Sequence, residues 1–210
     1  MKKVLALTTT CNRFNLTSKY LPELRKKGGY LFMHVVVDNG STDGTVAWLK
    51  TQELTVLENK ENIGIVRGLM QGYAFAIKNG FIPDYVVKYD DDCEIITPDI
   101  LKEIINFMEA TDDTCCVAPI DLNIDPDYVP KINEDTKIMA GYNVRVTTHI
   151  GGMLAVIPRK AMEALINAGG IEKDVNRGHF WIKEGFKCVY LRDLKVKHQG
   201  NSNQVKKYKF

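Results

Sequence analysis

Three adjacent carboxylates, Asp90, Asp91 and Asp92, directly follow the apolar and aromatic segment 85–89. Neighbouring carboxylates repel one another, so ionising all three without a cation is costly. Two aspartates separated by one residue can bind a hard cation such as Mg²⁺ or Mn²⁺, which keeps coordination positions free for phosphate oxygens. An acidic surface turn is the alternative interpretation. Because the triplet comes immediately after a predicted strand, we favour the metal site.

A second polar segment, 38–45, follows the β-branched run 35–37 and reads Asp-Asn-Gly-Ser-Thr-Asp-Gly-Thr. The carboxylate of Asp38 could accept hydrogen bonds from a base or a ribose, and an ordinary strand-to-helix turn is equally compatible with the pattern. The first turn, 8–13, lacks the Gly-x-Gly-x-x-Gly pattern, which argues against a dinucleotide-binding Rossmann domain.

The elements that must position these side chains alternate along the first ~120 residues. The pattern predicts strands at 4–7, 35–37, 54–57, 85–89 and 115–118, and helices at 16–27, at a short segment ending near 49, and at 65–78. A further helix is predicted to begin with Thr97 as its N-cap and Pro98 at its first helical position. Such alternation indicates an α/β fold with a largely parallel sheet and helices on both faces. Ligands of such sheets bind at the carboxyl ends of the strands, where the polar segments lie.

The second half of the chain has a different rhythm. Residues 121–148 are polar and broken, with hairpin-like pieces, and strands are predicted at 153–157 and 187–191. Helices are predicted near 159–168 and 174–184. We therefore predict one domain over 1–210, in which the alternating first part, 1–120, is followed by a mixed, partly antiparallel half, 121–210.

Length, charge and cysteine usage narrow the class of protein. The chain has 210 residues, is 45% hydrophobic and 26% charged, and carries a net charge of +2. That composition fits one globular domain and gives no argument for a nucleic-acid partner. Its five cysteines are odd in number and form no Cys-x-x-Cys pair, so a reducing, cytoplasmic setting is expected. No apolar run is long enough for a signal peptide or a spanning helix.

Four motifs occur in a distinctive order: Thr-Thr-Cys-Asn-Arg at 9–13, Val-Val-Asp-Asn-Gly-Ser-Thr-Asp-Gly-Thr at 36–45, Asn-Ile-Gly-Ile-Val-Arg-Gly at 62–68, and the acidic triplet at 90–92. In this order they resemble glycosyltransferase family 2, which has the GT-A fold, across nearly the whole chain. The resemblance implies that Asp38 contacts the base and that the nucleotide is also bound by Thr9, Thr10, Arg13, Asn62, Gly64, Arg67 and Asp90.

The same resemblance assigns the metal ligands. Asp90 and Asp92 match the family's Asp-x-Asp motif, with Asp92 as the direct ligand of Mn²⁺ or Mg²⁺ and Asp90 contacting ribose or metal. His198 matches a late histidine whose neutral ring nitrogen can complete the metal shell, and a surface histidine is the alternative. An aspartate at position 38 can accept from the N3–H of uracil or thymine, so a UDP-sugar is the favoured donor.

The resemblance also implies that residues 1–120 bind the nucleotide-sugar donor and that residues 121–210 bind the acceptor. Gly151 and Gly152 resemble a small-residue turn beside the acceptor, and Asp174 stands eleven residues before Gly185 where the family has its catalytic base. The acidic residue that usually precedes the base is replaced by Lys173. A carboxylate at a helix start stays ionised and can remove the proton of an acceptor hydroxyl, although a plain helix-capping acid is the alternative.

Arg177 shares the face of Asp174 at i+3, where it could contact the acceptor or a phosphate, and a solvated arginine is the favoured alternative. The implied reaction is inverting, metal-dependent transfer of a sugar to a hydroxyl of a glycan, lipid-linked or protein-linked sugar. A nucleotidyltransferase is a weaker alternative because the loop 8–13 has no glycine, and a non-catalytic sugar-binding module is a third. The basic, aromatic tail 206–210 suggests either peripheral membrane association, closure over the diphosphate, or a frayed terminus.

Overall fold

The computed structural model describes residues 1–123 and 137–200. The strands in these ranges are β1 (Val4–Thr10), β2 (Met33–Asp38), β3 (Thr55–Glu58), β4 (Tyr85–Tyr89), β5 (Cys93–Ile95), β6 (Cys115–Asp121), β7 (Lys137–Met139), β8 (Tyr142–Thr147), β9 (Leu154–Pro158) and β10 (Lys187–His198). The helices are α1 (Phe14–Tyr20), α2 (Glu23–Lys27), α3 (Thr45–Leu49), α4 (Ile65–Lys78), α5 (Ile100–Glu109), α6 (Arg159–Asn167) and α7 (Asp174–Lys183). Part of the segment 121–148 and the whole tail 206–210 therefore lie outside the described residues.

One mixed sheet carries the fold, in the order β3-β2-β1-β4-β9-β6-β10-β8-β7, with β5 paired to β10. Strands β3, β2, β1 and β4 are parallel to one another, as the alternating pattern predicts. Because β1 and β2 pair with Thr10 opposite Asp38, two of the predicted polar strand ends meet at one edge. The predicted α/β class is confirmed.

Apolar side chains pack on both faces of the sheet, as predicted. One buried cluster joins the sheet to α2, α3 and α5 through residues such as Leu24, Leu49 and Ile104. The other joins it to α4, α6 and α7 through residues such as Tyr73, Met162 and Trp181. Within 1–123 and 137–200, no helix combines the length and the apolar character needed to cross a bilayer.

Strand β9 interrupts the parallel arrangement expected from the first half. It lies antiparallel between β4 and β6, and all five of its residues are buried. An antiparallel strand can enter there without a crossover helix, because its backbone pairs with both neighbours and its apolar side chains fill the core on both faces of the sheet. Leu154 pairs with Tyr89, and the carbonyl oxygen of Met153 accepts from the Asp90 amide at 2.8 Å. This pairing brings the segment before β9 to the acidic triplet.

Two helix boundaries and two strands differ from the sequence-based expectation. The predicted helix 16–27 is two helices, because Pro22 lacks the N–H that a continuous helix would require. Helix α5 begins at Ile100 rather than after Thr97, whose hydroxyl instead accepts from the Lys195 amide at 2.9 Å. Strand β5 is too short to show in the pattern, and β10 extends to His198, well past the predicted end.

Candidate active site

An open cleft of about 850 Å³ lies at the carboxyl ends of β1 and β4, and one predicted nucleotide residue, Arg13, and two predicted metal ligands, Asp92 and His198, line it. Its lining includes Arg13, Asp43, Asp92 and His198. The antiparallel pairing of β5 and β10 sets His198 opposite Cys93, the residue after Asp92, and so carries the end of β10 to the triplet. The cleft is therefore built from both halves of the chain.

Asp91, the middle carboxylate, binds side chains of the protein itself. It is buried, and its Oδ2 accepts from the Thr10 hydroxyl at 2.6 Å and from the Thr17 hydroxyl at 3.0 Å. Its Oδ1 lies 3.1 Å from the Arg13 guanidinium. Burial raises the pKa of Asp91, although Arg13 and the two hydroxyls oppose the shift. The Thr10 hydroxyl, predicted to lie near the nucleotide, thus binds Asp91.

Asp92 has one occupied and one free carboxylate oxygen. Its Oδ2 lies 2.9 Å from His198 Nε2 and is also bound by Arg13. Its Oδ1 is buried and has no hydrogen-bond partner within 1–123 and 137–200. Burial acts to raise the pKa of Asp92, but the His198 hydrogen bond and the Arg13 charge outweigh it and hold that pKa below its usual value. The hydrogen bond to Asp92 raises the pKa of His198.

Asp90 does not join this pair. Its Oδ1 lies 2.5 Å from the ammonium of Lys88, two residues earlier on β4. In keeping with this, no three His, Cys, Asp or Glu side chains among residues 1–123 and 137–200 converge as a metal site would require. Of the three predicted metal ligands, Asp92 and His198 are brought together. The unpartnered Asp92 oxygen and a histidine nitrogen are a suitable pair for Mn²⁺ or Mg²⁺, with remaining positions for phosphate and water.

Asp38, the residue expected to contact the base, also has an unpaired oxygen. Its Oδ1 accepts from the amides of Gly40 at 3.0 Å and Ser41 at 2.8 Å, while its buried Oδ2 has no partner in the part of the chain that the structure describes. A buried carboxylate oxygen without a donor is costly, so a ligand N–H would be strongly favoured there.

The remaining predicted nucleotide residues lie around the start of α4. The side chain of Asn62 accepts from the Gly64 amide at 2.9 Å, and Gly64 has a φ of 86°, a conformation that glycine adopts readily. Arg67 is exposed on α4. The Thr9 methyl lies 2.7 Å from where a Cβ on Gly68 would stand, so only glycine allows α4 this close to β1.

The predicted base and the arginine on its face form a pair. Asp174 is the first residue of α7, and its Oδ1 is bound by Arg177. Arg177 also donates to the carbonyl oxygens of Ile171 at 3.0 Å and Glu172 at 3.2 Å. Arg177 is buried, so the solvated alternative is wrong, and burial lowers its pKa while the charge of Asp90 opposes that shift.

Two side chains that the sequence reasoning did not assign hold the predicted glycine turn. The Tyr190 hydroxyl accepts from the Gly151 amide at 2.5 Å, and the Lys88 ammonium donates to the Gly152 carbonyl oxygen. The sequence could have indicated Lys88, because it is the one charged residue within the otherwise apolar and aromatic strand 85–89. It could not have indicated Tyr190, because an aromatic residue in a strand is ordinary.

Solved structures of other proteins share this architecture. The chain resembles the mannosyltransferase PcManGT from Pyrobaculum calidifontis, solved with GDP-Man and Mn²⁺, at a TM-score of 0.70 and 19% identity over 99% of this chain and 59% of that one. It resembles S. aureus TarS in complex with UDP-GlcNAc at a TM-score of 0.69 and 15% identity, over 95% and 60% of the two chains. It resembles GalNAc-T7, solved with UDP, GalNAc and Mn²⁺, at a TM-score of 0.64 and 14% identity, over 94% of this chain and 44% of that one.

These likenesses establish the GT-A fold. The chain spans between 44% and 60% of the length of these three structures. Comparison with curated protein sequences finds no match. The model of the family described as "Glycosyl transferase family 2" matches residues 6–166, most of the chain and every predicted donor motif, so this protein belongs to glycosyltransferase family 2.

Proposed function

We propose that this chain is a metal-dependent inverting glycosyltransferase that moves a sugar from a nucleotide-diphosphate donor, with UDP favoured, to a hydroxyl of a glycan, lipid-linked or protein-linked acceptor. One observation carries the proposal: two buried carboxylate oxygens, Oδ2 of Asp38 and Oδ1 of Asp92, have no partner among the described residues. A base N–H would satisfy the first, and a cation would satisfy the second.

The metal would be held by Asp92 and His198, with Asp90 joining if its contact with Lys88 opens. Its positive charge would stabilise the negative charge that grows on the leaving diphosphate. Arg13 adds a guanidinium to the same cleft, 36% exposed at its side chain and able to reach phosphate oxygens. The complexes of PcManGT and GalNAc-T7 with Mn²⁺ support this assignment.

Asp174 would take the proton of the acceptor hydroxyl as that oxygen attacks the anomeric carbon. Its position at the start of α7 and its bond to Arg177 hold it oriented. Attack opposite the leaving group in one displacement inverts the anomeric configuration without a covalent intermediate.

Replacing Asp174 by Asn tests the base. We expect the D174N variant to bind UDP and Mn²⁺ within about threefold of wild type and to lose turnover by roughly 10²–10⁴-fold, because the proton acceptor is gone. The matched control is Glu172→Gln, an exposed acid just before the same helix, which should keep full turnover. Near-normal turnover of D174N would refute the role of Asp174.

Neighbouring residues of the triplet separate metal binding from stability. Asp92→Asn should raise the Kd of UDP measured with Mn²⁺ by about tenfold, or about 1.4 kcal/mol, and should also lower the free energy of unfolding, because the buried Asp92 binds Arg13 and His198. Asp91→Asn should lower the free energy of unfolding by about 1–3 kcal/mol, because Asp91 holds two buried hydroxyls and Arg13, but should leave UDP binding dependent on Mn²⁺. Unchanged Mn²⁺-dependent UDP binding in D92N would contradict the metal assignment.

Product analysis separates this proposal from the two alternatives. Incubation with a panel of UDP-sugars and Mn²⁺, with and without acceptor, should release UDP. A non-catalytic binding module would release none. A nucleotidyltransferase would instead release pyrophosphate from a nucleoside triphosphate and a sugar phosphate.

A further inference from the structure

Lys88 is a nearly buried cation in the centre of the sheet that the proposed reaction leaves without a role. It lies on β4, paired on one side with Leu7 of β1 and on the other with Ala155 of β9. Its side chain is only 12% exposed. Lysine is almost never buried unless its charge is paired, and its apolar stem can pass through a core while the ammonium reaches a polar edge.

The ammonium of Lys88 emerges between the donor side and the acceptor side. It lies 2.5 Å from Asp90 Oδ1 and donates to the carbonyl oxygen of Gly152. An ammonium has three N–H donors, and these are its two acceptors among residues 1–123 and 137–200. One N–H therefore remains for a ligand.

The space beside that N–H adjoins the predicted base. A Cβ placed on Gly152 would stand 2.9 Å from Lys88 Nζ and 3.3 Å from Asp174 Oδ1. Both charged groups thus approach the same glycine, and any side chain there would push into them. The side chains of Asp90 and Asp174 are 31% and 41% exposed, so a ligand can reach the gap from solvent.

The chemistry of this gap fits a sugar. It offers a cationic N–H donor between two carboxylates, and a hydroxyl can accept from the first while donating to either of the others. We propose that Lys88 is a sugar-binding residue, which donates its third N–H to a hydroxyl oxygen of the transferred sugar held between Asp90 and Asp174. This inference rests on the proposed function, because it requires a sugar nucleotide in the cleft.

Binding measurements with and without the sugar test it. Kd values for UDP, GDP, UDP-Glc, UDP-Gal, UDP-GlcNAc and GDP-Man are measured by calorimetry with Mn²⁺ for wild type and Lys88→Met. We expect K88M to bind the free nucleotide within about twofold of wild type. Its Kd for the sugar nucleotide that wild type binds should rise about tenfold or more, as expected for loss of a hydrogen bond from a charged donor.

Two further variants control the comparison. Lys102→Met removes an exposed lysine on α5, on the opposite face of the sheet, and should change neither Kd. If K88M fails to fold in a thermal melt, Lys88→Gln keeps a polar head on a shorter stem and should show the same selective loss for the sugar nucleotide.

The outcomes are distinguishable. Equal weakening of free nucleotide and sugar nucleotide in the Lys88 variants would mean that Lys88 only supports the turn, and would overturn the inference. Unchanged Kd values for both would overturn it as well. A wild type that binds no nucleotide and no sugar nucleotide would refute the proposed function, and the inference with it.

Discussion

His34 is a buried histidine outside the cleft whose protonation state is coupled to folding. It lies on β2, and its Nε2 is 3.0 Å from the Thr8 hydroxyl oxygen, which itself donates to the Tyr89 carbonyl oxygen at 2.7 Å. Because that hydroxyl proton is already used, His34 must donate its Nε2 proton to Thr8. Burial lowers the pKa of His34 to about 3, with Arg25 adding to the shift.

The sign of the pH dependence follows from that depressed pKa. Between pH ~6.5 and ~3 an unfolded His34 binds a proton that the native one does not, so the free energy of unfolding falls as pH falls, by about 1.4 kcal/mol per unit. Wild type should therefore lose roughly 2–3 kcal/mol of its free energy of unfolding between pH 6.5 and 4.5 through His34. The His34→Gln variant should not show this loss when chemical denaturation is measured at several pH values. Parallel stability curves for the variant and wild type would contradict the assignment.

At the scale of elements, the contact of α7 with the segment before β9 sets the distance between the predicted base and the glycine turn. Gly178 of α7 packs directly on the backbone of Thr148 and His149, and a Cβ there would collide with the Thr148 carbonyl oxygen. Helix α7 can approach this closely only because one of its buried positions carries no side chain. The geometry between Asp174 and Gly152 depends on that approach.

Substituting Gly178 by Ala therefore has two opposing effects on stability: it raises the helix propensity of α7, and it overpacks the contact with Thr148 and His149. Propensity alone would stabilise α7 by about 1 kcal/mol, whereas overpacking costs about 1–3 kcal/mol and moves the base. We expect net destabilisation in urea unfolding and reduced turnover. Asn176→Ala, at an exposed position of the same helix, should stay within about 0.5 kcal/mol of wild type. A Gly178→Ala protein more stable than wild type would show that the close contact is not formed.

At the scale of the whole molecule, the cleft joins two ends of the chain. Arg13 follows β1, Asp92 follows β4, and His198 ends β10, so ligands bound there connect segments far apart in sequence. Binding to the native state alone stabilises it by mass action.

Thermal melts should show this linkage. UDP at about 100 times its Kd, with Mn²⁺, should add about 2.7 kcal/mol and raise Tm by roughly 5–10 °C for a domain of this size. Adding EDTA should abolish the shift produced by UDP if the metal holds the diphosphate. A shift that survives EDTA undiminished would contradict metal-dependent donor binding.

The hydrophobic pattern of the first half predicted its helices and strands well, because that pattern depends on residues close together in the sequence. Helix α4 and strand β4 begin and end where periodicity predicts them, and the donor motifs fall at strand ends as expected for a parallel sheet. Of the three predicted metal ligands, Asp90 is the one that does not lie with the other two. Its pairing with Lys88 depends on a side-chain contact, which residue spacing does not describe.

The sequence by itself determined the α/β class, the family motifs and which strand ends are polar, because these follow from hydrophobic period and residue order. Tertiary structure alone decided that β9 enters antiparallel between β4 and β6, and that β10 runs on to set His198 beside Asp92. It also decided that Asp90 pairs with Lys88, that Asp91 accepts from two hydroxyls, and that Asp92 keeps one oxygen without a partner among the described residues. Strand pairing between distant segments and the burial of single oxygens are not encoded in any local pattern.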